Sequence, residues 1–461
     1  MKFGGTLLDN EDKLRNVINV ISSYYSEGND IVVIISALNG ITDKILDLCK
    51  DIKKINKNII NDFIDNIQTI HTSLIEKVIT NSERKTGILE IIANLLNEFK
   101  EILVGISILG EITPKSRDYL VSFGERLSTP IVSFSLMDKG LKSEFFNGKE
   151  IGILTDSNYG DAKPLMDTTK LRVRHKIEPL IAEKIIPVIT GFIGCDQNGN
   201  ITTIGRGGSD YSATIIAASI NADEVWLWSD TDGLMTADPK IVENAMMLDE
   251  LSFSEALELS MFGPKYMHPR ALEPVMDSKI AVRIRNINNL KNSGTMILQN
   301  PLKNSTRTVK SITDIAHTAL IDVSGGGLIG YPGTAAKIFD ALAKNQVNII
   351  MISQTPSESS ISIVVKKNDL DKAITTLELN FLGKLIKRIN VNENVAIIAV
   401  VGSGMRGIKG VAARTFGAVA KNNINVIMIA QGSSELNLAF VIDEKDRNKA
   451  VKALHQEFIG N

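Results

Sequence analysis

The chain alternates between short continuous apolar runs and longer stretches with apolar residues at three- and four-residue spacings. The first pattern predicts buried strands and the second amphipathic helices. Ile31-Val32-Val33-Ile34-Ile35 is β-branched throughout and reads as a buried parallel strand. A helix from about Glu11 to Glu27 precedes it. From about Thr42 to Leu109 the Leu and Ile spacing is helical. Thr113-Pro114 opens another helix, with Thr113 as N-cap and Pro114 at the first position. Ile185 to Thr190, Glu224 to Trp228 and Ala281 to Arg285 then read as strands separated by helices, up to about residue 300. Alternation of this kind predicts an α/β sandwich on a mostly parallel sheet.

The last third contains an internal repeat. Ser324-Gly325-Gly326-Gly327, Gly333 and Val347 to Gln354, with Ser357-Glu358, recur 77 positions on, Gln354 answering to Gln431. The second copy is Val401-Gly402-Ser403-Gly404, Gly410, Ile424 to Gln431 and Ser434-Glu435. Such similarity is the mark of duplication. Each copy reads strand, glycine turn, helix, strand, turn, strand, helix. The first copy continues into a fourth strand at Ile386 to Val391, whereas the second ends after its helix. Thr308 to Asp314, upstream of both, is the strand expected to complete the second copy, so the repeats should be nested.

Composition narrows the class. With 461 residues the chain should hold two or three domains, at about 150 residues each. A 44% apolar and 23% charged content is that of a globular protein. Its net charge of -2 leaves no basic footprint for nucleic acid. Cys49 and Cys195 supply neither a disulfide framework nor a metal cluster and suit a reducing, cytoplasmic setting. No apolar run approaches the ~20 residues of a membrane span, and the N-terminus lacks the apolar core of a signal peptide.

The densest chemistry lies in Ile204-Gly205-Arg206-Gly207-Gly208-Ser209-Asp210. Glycines there let backbone approach a ligand, and the start of the helix expected over Tyr211 to Ile220 offers unpaired N–H groups to an anion. Arg206 suits a carboxylate or phosphate, Ser209 can cap the helix, and Asp210 falls in its first turn. A tight connection without ligand is the alternative. Lys2-Phe3-Gly4-Gly5-Thr6 sets a lysine before a double-glycine turn, which is either a phosphate-binding arrangement or a plain turn. Ser36 and Thr42 flank the turn after the Ile31–Ile35 strand, where open α/β sheets bind ligands; their hydroxyls can hold a carboxylate or simply cap. Glu125, read as mid-helical, is a partner for a substrate ammonium or an ordinary solvated acid. The loop from Ser229 and Asp230 through Met235 to Lys240 suits a nucleotide or is an acidic turn. Lys265, behind Gly263-Pro264, is a second phosphate partner, and His268 reads as a structural hydrogen-bonder.

In one order, KFGGT, SA-x-x-x-T, SFGERLS, TTIGRGGSDYSA, W-S-D-T-D-G and FGPKYMHPR, followed by the duplicated segment, resemble aspartate kinase (aspartokinase) of the monofunctional type. The resemblance implies an amino-acid-kinase-type α/β domain over residues 1-305, then ferredoxin-like (βαββαβ) ACT regions over 306-391 and 392-461. It implies phosphoryl transfer from ATP, with Mg²⁺ carried by the nucleotide, to the side-chain carboxylate of L-aspartate. That is the first step toward lysine, threonine and methionine. By the same resemblance Lys2 and Lys265, with Gly4 and Gly5, serve the transferring phosphates. Ser36, Thr42, Glu125, Arg206 and Ser209 hold aspartate, with Asp210 in support. Ser229, Asp230, Met235 and Lys240 line the ATP side.

The ACT regions imply inhibition by an amino acid at Asn348, Ile349 and Gln354 and at Asn425, Val426 and Gln431, of the threonine-responsive type before the lysine type. They also imply a homodimer or dimer of dimers. Asn437 fits the family's Ser-Glu-x-Asn pattern, whereas the first copy has Ser360 there, so the two effector sites are expected to be unequal. Leu7, Met235, Lys240 and Pro264 depart from the usual pattern and bear on nucleotide affinity. Fusion to a homoserine dehydrogenase is not expected, since no Rossmann unit follows the repeats. The competing readings are a catalytically impaired ACT sensor and a kinase of the same fold acting on glutamate, carbamate or UMP.

Overall fold

A computed structural model describes residues 1–50, 55–262, 267–301, 307–328, 332–354 and 359–460. Contacts divide the chain into two units. The first comprises Met1–Leu234, Asp249–Phe253 and Tyr266–Pro301; the second comprises Met235–Leu248, Ser254–Lys265 and Leu302–Asn461.

The first unit is built on eight strands: β1 (Lys2–Phe3), β2 (Val33–Ile35), β3 (Ser143–Phe146), β4 (Ile186–Thr190), β7 (Glu224–Ser229), β8 (Glu250–Ser252), β9 (Ala281–Asn286) and β10 (Thr295–Leu298). A separate hairpin holds β5 (Ile193–Cys195) and β6 (Ile201–Thr203). The order across the sheet is β3-β4-β2-β1-β7-β9-β10-β8. The pairings from β3 through β9 are parallel, and only β9–β10 is antiparallel. β2 and β4 are buried at every position, as their unbroken apolar runs require.

The unit's helices include α1 (Glu11–Ser26), α2 (Ile41–Lys50), α3 (Lys57–Val78), α4 (Ser82–Leu109), α5 (Pro114–Val121), α6 (Phe123–Asp138), α7 (Gly148–Ile151), α8 (Met166–Ala182) and α9 (Gly208–Ile220), with α3 and α4 packed on other helices. The Thr113 hydroxyl accepts from Ser116 N–H and Pro114 opens α5, as the sequence predicts. The single helix expected onward from Pro114 is two, parted at Ser122. Glu125 therefore sits in the first turn of α6 and is not mid-helical. Among the described residues the helical stretch from Thr42 to Leu109 falls into three helices, α3 ending at Ile79 and α4 at left-handed Gly110.

The second unit carries a six-stranded antiparallel sheet in the order β12-β13-β11-β14-β16-β15. Its strands are β11 (Ser311–Ser324), β12 (Ile349–Gln354), β13 (Ser360–Lys366), β14 (Arg388–Val401), β15 (Met428–Ala430) and β16 (Asn437–Asp443). β11 and β14 are the long central pair, and Ser311 faces Val401 while Ser324 faces Arg388. This is a two-fold arrangement in which each repeat borrows half of the other's long strand. Ile389 to Val391, expected as part of a separate fourth strand, is the N-terminal half of β14. The symmetry extends to single bonds: Lys310 N–H donates to the Val401 carbonyl and Lys387 N–H to the Ser324 carbonyl, both at 2.8 Å. Gly402 and Gly325 are needed at these crossings. A Cβ on Gly402 would meet the Thr308 carbonyl oxygen at 2.6 Å, and one on Gly325 the Leu385 carbonyl oxygen at 2.7 Å.

Candidate active site

Parallel strands send their carboxyl ends to one edge, so the loops after β4, β2, β1 and β7 lie side by side there. The loop after β1 is Gly4-Gly5, and it abuts the loop after β2. A Cβ on Gly5 would meet the Ala37 carbonyl oxygen at 2.5 Å and Asn39 N at 3.1 Å. The first turn of α6 closes on the same place, since a Cβ on Gly124 would lie 2.9 Å from the Ala37 methyl and 3.3 Å from Thr42 Oγ1. Ser36, half-buried, accepts a bond from the Ser128 hydroxyl at its carbonyl. Ser36, Thr42, Gly5 and Glu125 are thus brought together.

Glu125 is 3% exposed. One oxygen accepts from Ala37 N–H at 3.2 Å, while the other is buried with no partner among the described residues. Burial pushes its carboxyl up to about 8 against the opposing pull of that N–H. An unsatisfied buried carboxylate is costly unless a cation meets it. The arrangement therefore suits an incoming ammonium.

Lys2 Nζ forms an ion pair with Asp210 Oδ1 at 2.7 Å, both side chains 15% exposed. The pair joins the start of β1 to the first turn of α9. Gly207 is the N-cap of α9, in left-handed conformation with φ +70°, and offers no side-chain cap bond. Ser209 lies inside the first turn and does not cap, because the helix begins one residue earlier, at Gly208. Instead Ser209 packs on the turn after β4: a Cβ on Gly191 would meet its Oγ at 2.6 Å. Arg206 is exposed at the loop's tip. In the β7 loop, Ser229 Oγ lies 3.1 Å from Thr231 Oγ1 and 3.4 Å from Asp230 Oδ1, and Asp230 is exposed.

Met235 and Lys240 belong to the second unit. The Met235 carbonyl accepts from Ser311 Oγ at 2.9 Å, and Lys240 N–H donates to Asp238 Oδ1 at 3.0 Å. Lys265 and Pro264 lie outside the described residues. In the repeats Asn348, Gln354, Asn425 and Gln431 are exposed, and Ile349 and Val426 half-buried.

Sequence reasoning missed the acids that hold these loops. Asp118 is buried, accepts from Thr203 N–H at 2.7 Å and Gly160 N–H at 2.8 Å, and has its carboxyl raised by burial against those two bonds. Asp161 forms a two-pronged ion pair with Arg270, set against the Gly205 turn. Asp232 accepts from the side chains of Asn286 at 2.9 Å and Asn289 at 3.2 Å. No local pattern marks such residues, because their partners are distant in sequence. His268 accepts from Arg270 N–H and caps the turn Pro269–Leu272, the structural task expected of it. A cavity of about 510 Å³ elsewhere in the unit is lined by Lys115, Tyr119, Arg126, Asn147 and Lys149, among others, and includes none of the candidate residues. Its Arg126 is already paired with Glu98 at 2.8 Å.

Fold and edge geometry together define an α/β unit with a cluster of candidate residues at the carboxyl edge of its sheet, and a separate unit of tandem repeats. The amino acid kinase family signature matches residues 1–286, and the ACT domain signature matches 321–381 and 398–458. The chain belongs to the amino acid kinase family, in its aspartokinase branch. It is 34% identical to bifunctional aspartokinase/homoserine dehydrogenase 2 of Arabidopsis thaliana, over 99% of this chain and 50% of that protein. It thus spans about half the length of the bifunctional relatives it matches. Against aspartokinase 2 of Arabidopsis thaliana the identity is 30%, over 99% of this chain and 84% of that one. Among solved structures, E. coli aspartokinase III in complex with aspartate and ADP superposes with a TM-score of 0.83 at 25% identity, covering 99% of this chain and 98% of that one. The same enzyme in complex with lysine and aspartate gives 0.82 at 26%, with the same coverage.

Proposed function

We propose that the chain is an aspartate kinase, transferring the γ-phosphoryl group of ATP to the side-chain carboxylate of L-aspartate to give 4-phospho-L-aspartate. The observation that carries this reading is Glu125: a buried carboxylate with one oxygen unpartnered among the described residues, at the carboxyl edge of the sheet. It is the group an amino acid's ammonium would satisfy. The E. coli relative solved with aspartate and ADP supports the same substrates.

The acceptor carboxylate is ionised at neutral pH, so the site needs no general base. Its work is to bring an anion to a polyanion and neutralise charge as the phosphoryl group moves. In this reading Lys2, held by Asp210, meets the transferring phosphates. The Gly4-Gly5 backbone lies beside them, with Lys265 as the second cation. Glu125 holds the aspartate ammonium, Arg206 a carboxylate, and Ser36, Thr42 and Ser209 the remaining oxygens. Ser229, Asp230, Met235 and Lys240 serve ATP. Mg²⁺ would be brought by the nucleotide, bound through its phosphate oxygens and water, and would offset their charge. Among the described residues no group of three or more His, Cys, Asp or Glu side chains is arranged to hold a metal.

The repeats offer two unequal candidate amino-acid sites, at Asn348, Ile349 and Gln354 and at Asn425, Val426 and Gln431, with threonine the preferred effector. Lysine is the second reading, favoured by the E. coli structure that contains it. Exposed Ile352, Ile427 and Ile429 on and beside the sheet's outer strands support pairing of chains through the repeats. Among the described residues no helix is long and apolar enough to cross a membrane. The buried free thiols of Cys49 and Cys195 support a cytoplasmic, reducing setting. The reading is tested by ADP release with L-aspartate, L-glutamate, carbamate or UMP as acceptor. Turnover with aspartate alone is expected; turnover with another acceptor and none with aspartate rejects it.

A further inference from the structure

The two repeats share backbone geometry but differ at three side chains that meet one helix, Phe253–Met261. Within the second unit, Glu255 is fully buried against the glycine turn of the second repeat. One of its oxygens accepts from Ser403 N–H at 2.9 Å and from Ser403 Oγ at 2.6 Å. The other meets Lys310 Nζ at 3.2 Å. One helical turn on, the Glu258 carboxylate accepts from the Asn437 side-chain amide. Residues three apart share a helix face, so both acids point at the repeat together.

The first repeat lacks this donor set. Gly326 stands where the second repeat has Ser403, and Ser360 where it has Asn437. Lys387, the counterpart of Lys310, is exposed, while Lys310 is 4% exposed. A turn N–H, a hydroxyl and an ammonium converging on one carboxylate form the chemistry that would recognise the α-carboxylate of a free amino acid.

We propose that the glycine turn of the second repeat is a carboxylate-binding site filled by the chain's own Glu255, and that this repeat clasps the helix Phe253–Met261 in place of a free amino acid. The helix follows directly on β8 in sequence. Amino-acid binding then falls to the first repeat, one molecule per chain. That last step rests on the effector reading given above; the clasp itself does not.

Hydrogen exchange on the whole chain tests both parts. In Glu255→Ala the amides of turn 402–410 should exchange at least about tenfold faster. Glu255→Gln keeps the shape and secures the comparison if the alanine variant unfolds; it should speed the same turn by a smaller factor. Saturating L-threonine or L-lysine should slow the strand Ile349–Gln354 and leave turn 402–410 unaffected. The proposal is overturned if neither variant alters the turn, or if either amino acid slows turn 402–410 in the unmodified chain. Should the strand Ile349–Gln354 respond to neither amino acid, the effector reading fails, while the Glu255 variants still decide the clasp.

Discussion

Each unit buries a glutamate, and the two are treated in opposite ways. Glu255 has both oxygens engaged, by Ser403 and Lys310. Glu125 has one oxygen engaged and the other buried without a partner among the described residues. The first pattern holds a fold together. The second leaves a cost that a ligand can relieve. Burial alone does not separate structure from function here; the count of satisfied oxygens does.

The largest effect should come from breaking the satisfied member. Glu255→Ala removes the acid that pairs with buried Lys310 and should cost about 3–5 kcal/mol by denaturant titration. Lys2→Ala should leave the fold intact, because Lys2 and Asp210 are partly exposed, yet lower kcat by about 10²–10³-fold.

Glu125 sharpens the contrast through pH. Its carboxyl is raised by burial to about 8, so the folded chain holds a proton there that the unfolded chain releases near its ordinary value of 4.5. Stability from this group is full below about 4.5 and is lost as pH rises through about 8. The slope should vanish in Glu125→Gln. Because an ammonium needs the ionised form, the KM for aspartate should fall as pH rises toward 8, and Glu125→Gln should raise that KM at least about tenfold.

The smallest effects test the repeats. Gly402→Ala drives a Cβ into backbone and should cost about 1–3 kcal/mol, whereas Gly326→Ala meets nothing within 4 Å and should stay within about 0.5 kcal/mol of neutral.

The elements were legible where one signal ruled. β4 and β7 fall within a residue of their apolar runs, and the duplication appears as a two-fold related strand pair. The break at Ser122 was not legible, because Ser122 keeps helical dihedrals, φ -60° and ψ -22°, and no Gly or Pro marks it. Lys2 and Asp210 were each visible as chemistry, but their pairing was not, since 208 positions separate them and only the sheet brings them together. The clasp on Glu255 was hidden for the same reason: Ser403 lies 148 residues away. Sequence offers candidate residues; the fold shows which of their charges are already paired, as with Lys2 and Asp210.

The most direct test is chemical trapping of the product. An acyl phosphate reacts with hydroxylamine, so the chain is incubated with MgATP, L-aspartate and hydroxylamine, and aspartyl hydroxamate is measured. The account predicts hydroxamate that requires both ATP and aspartate and is nearly abolished in Lys2→Ala. No hydroxamate from a folded chain that still binds ATP would contradict it.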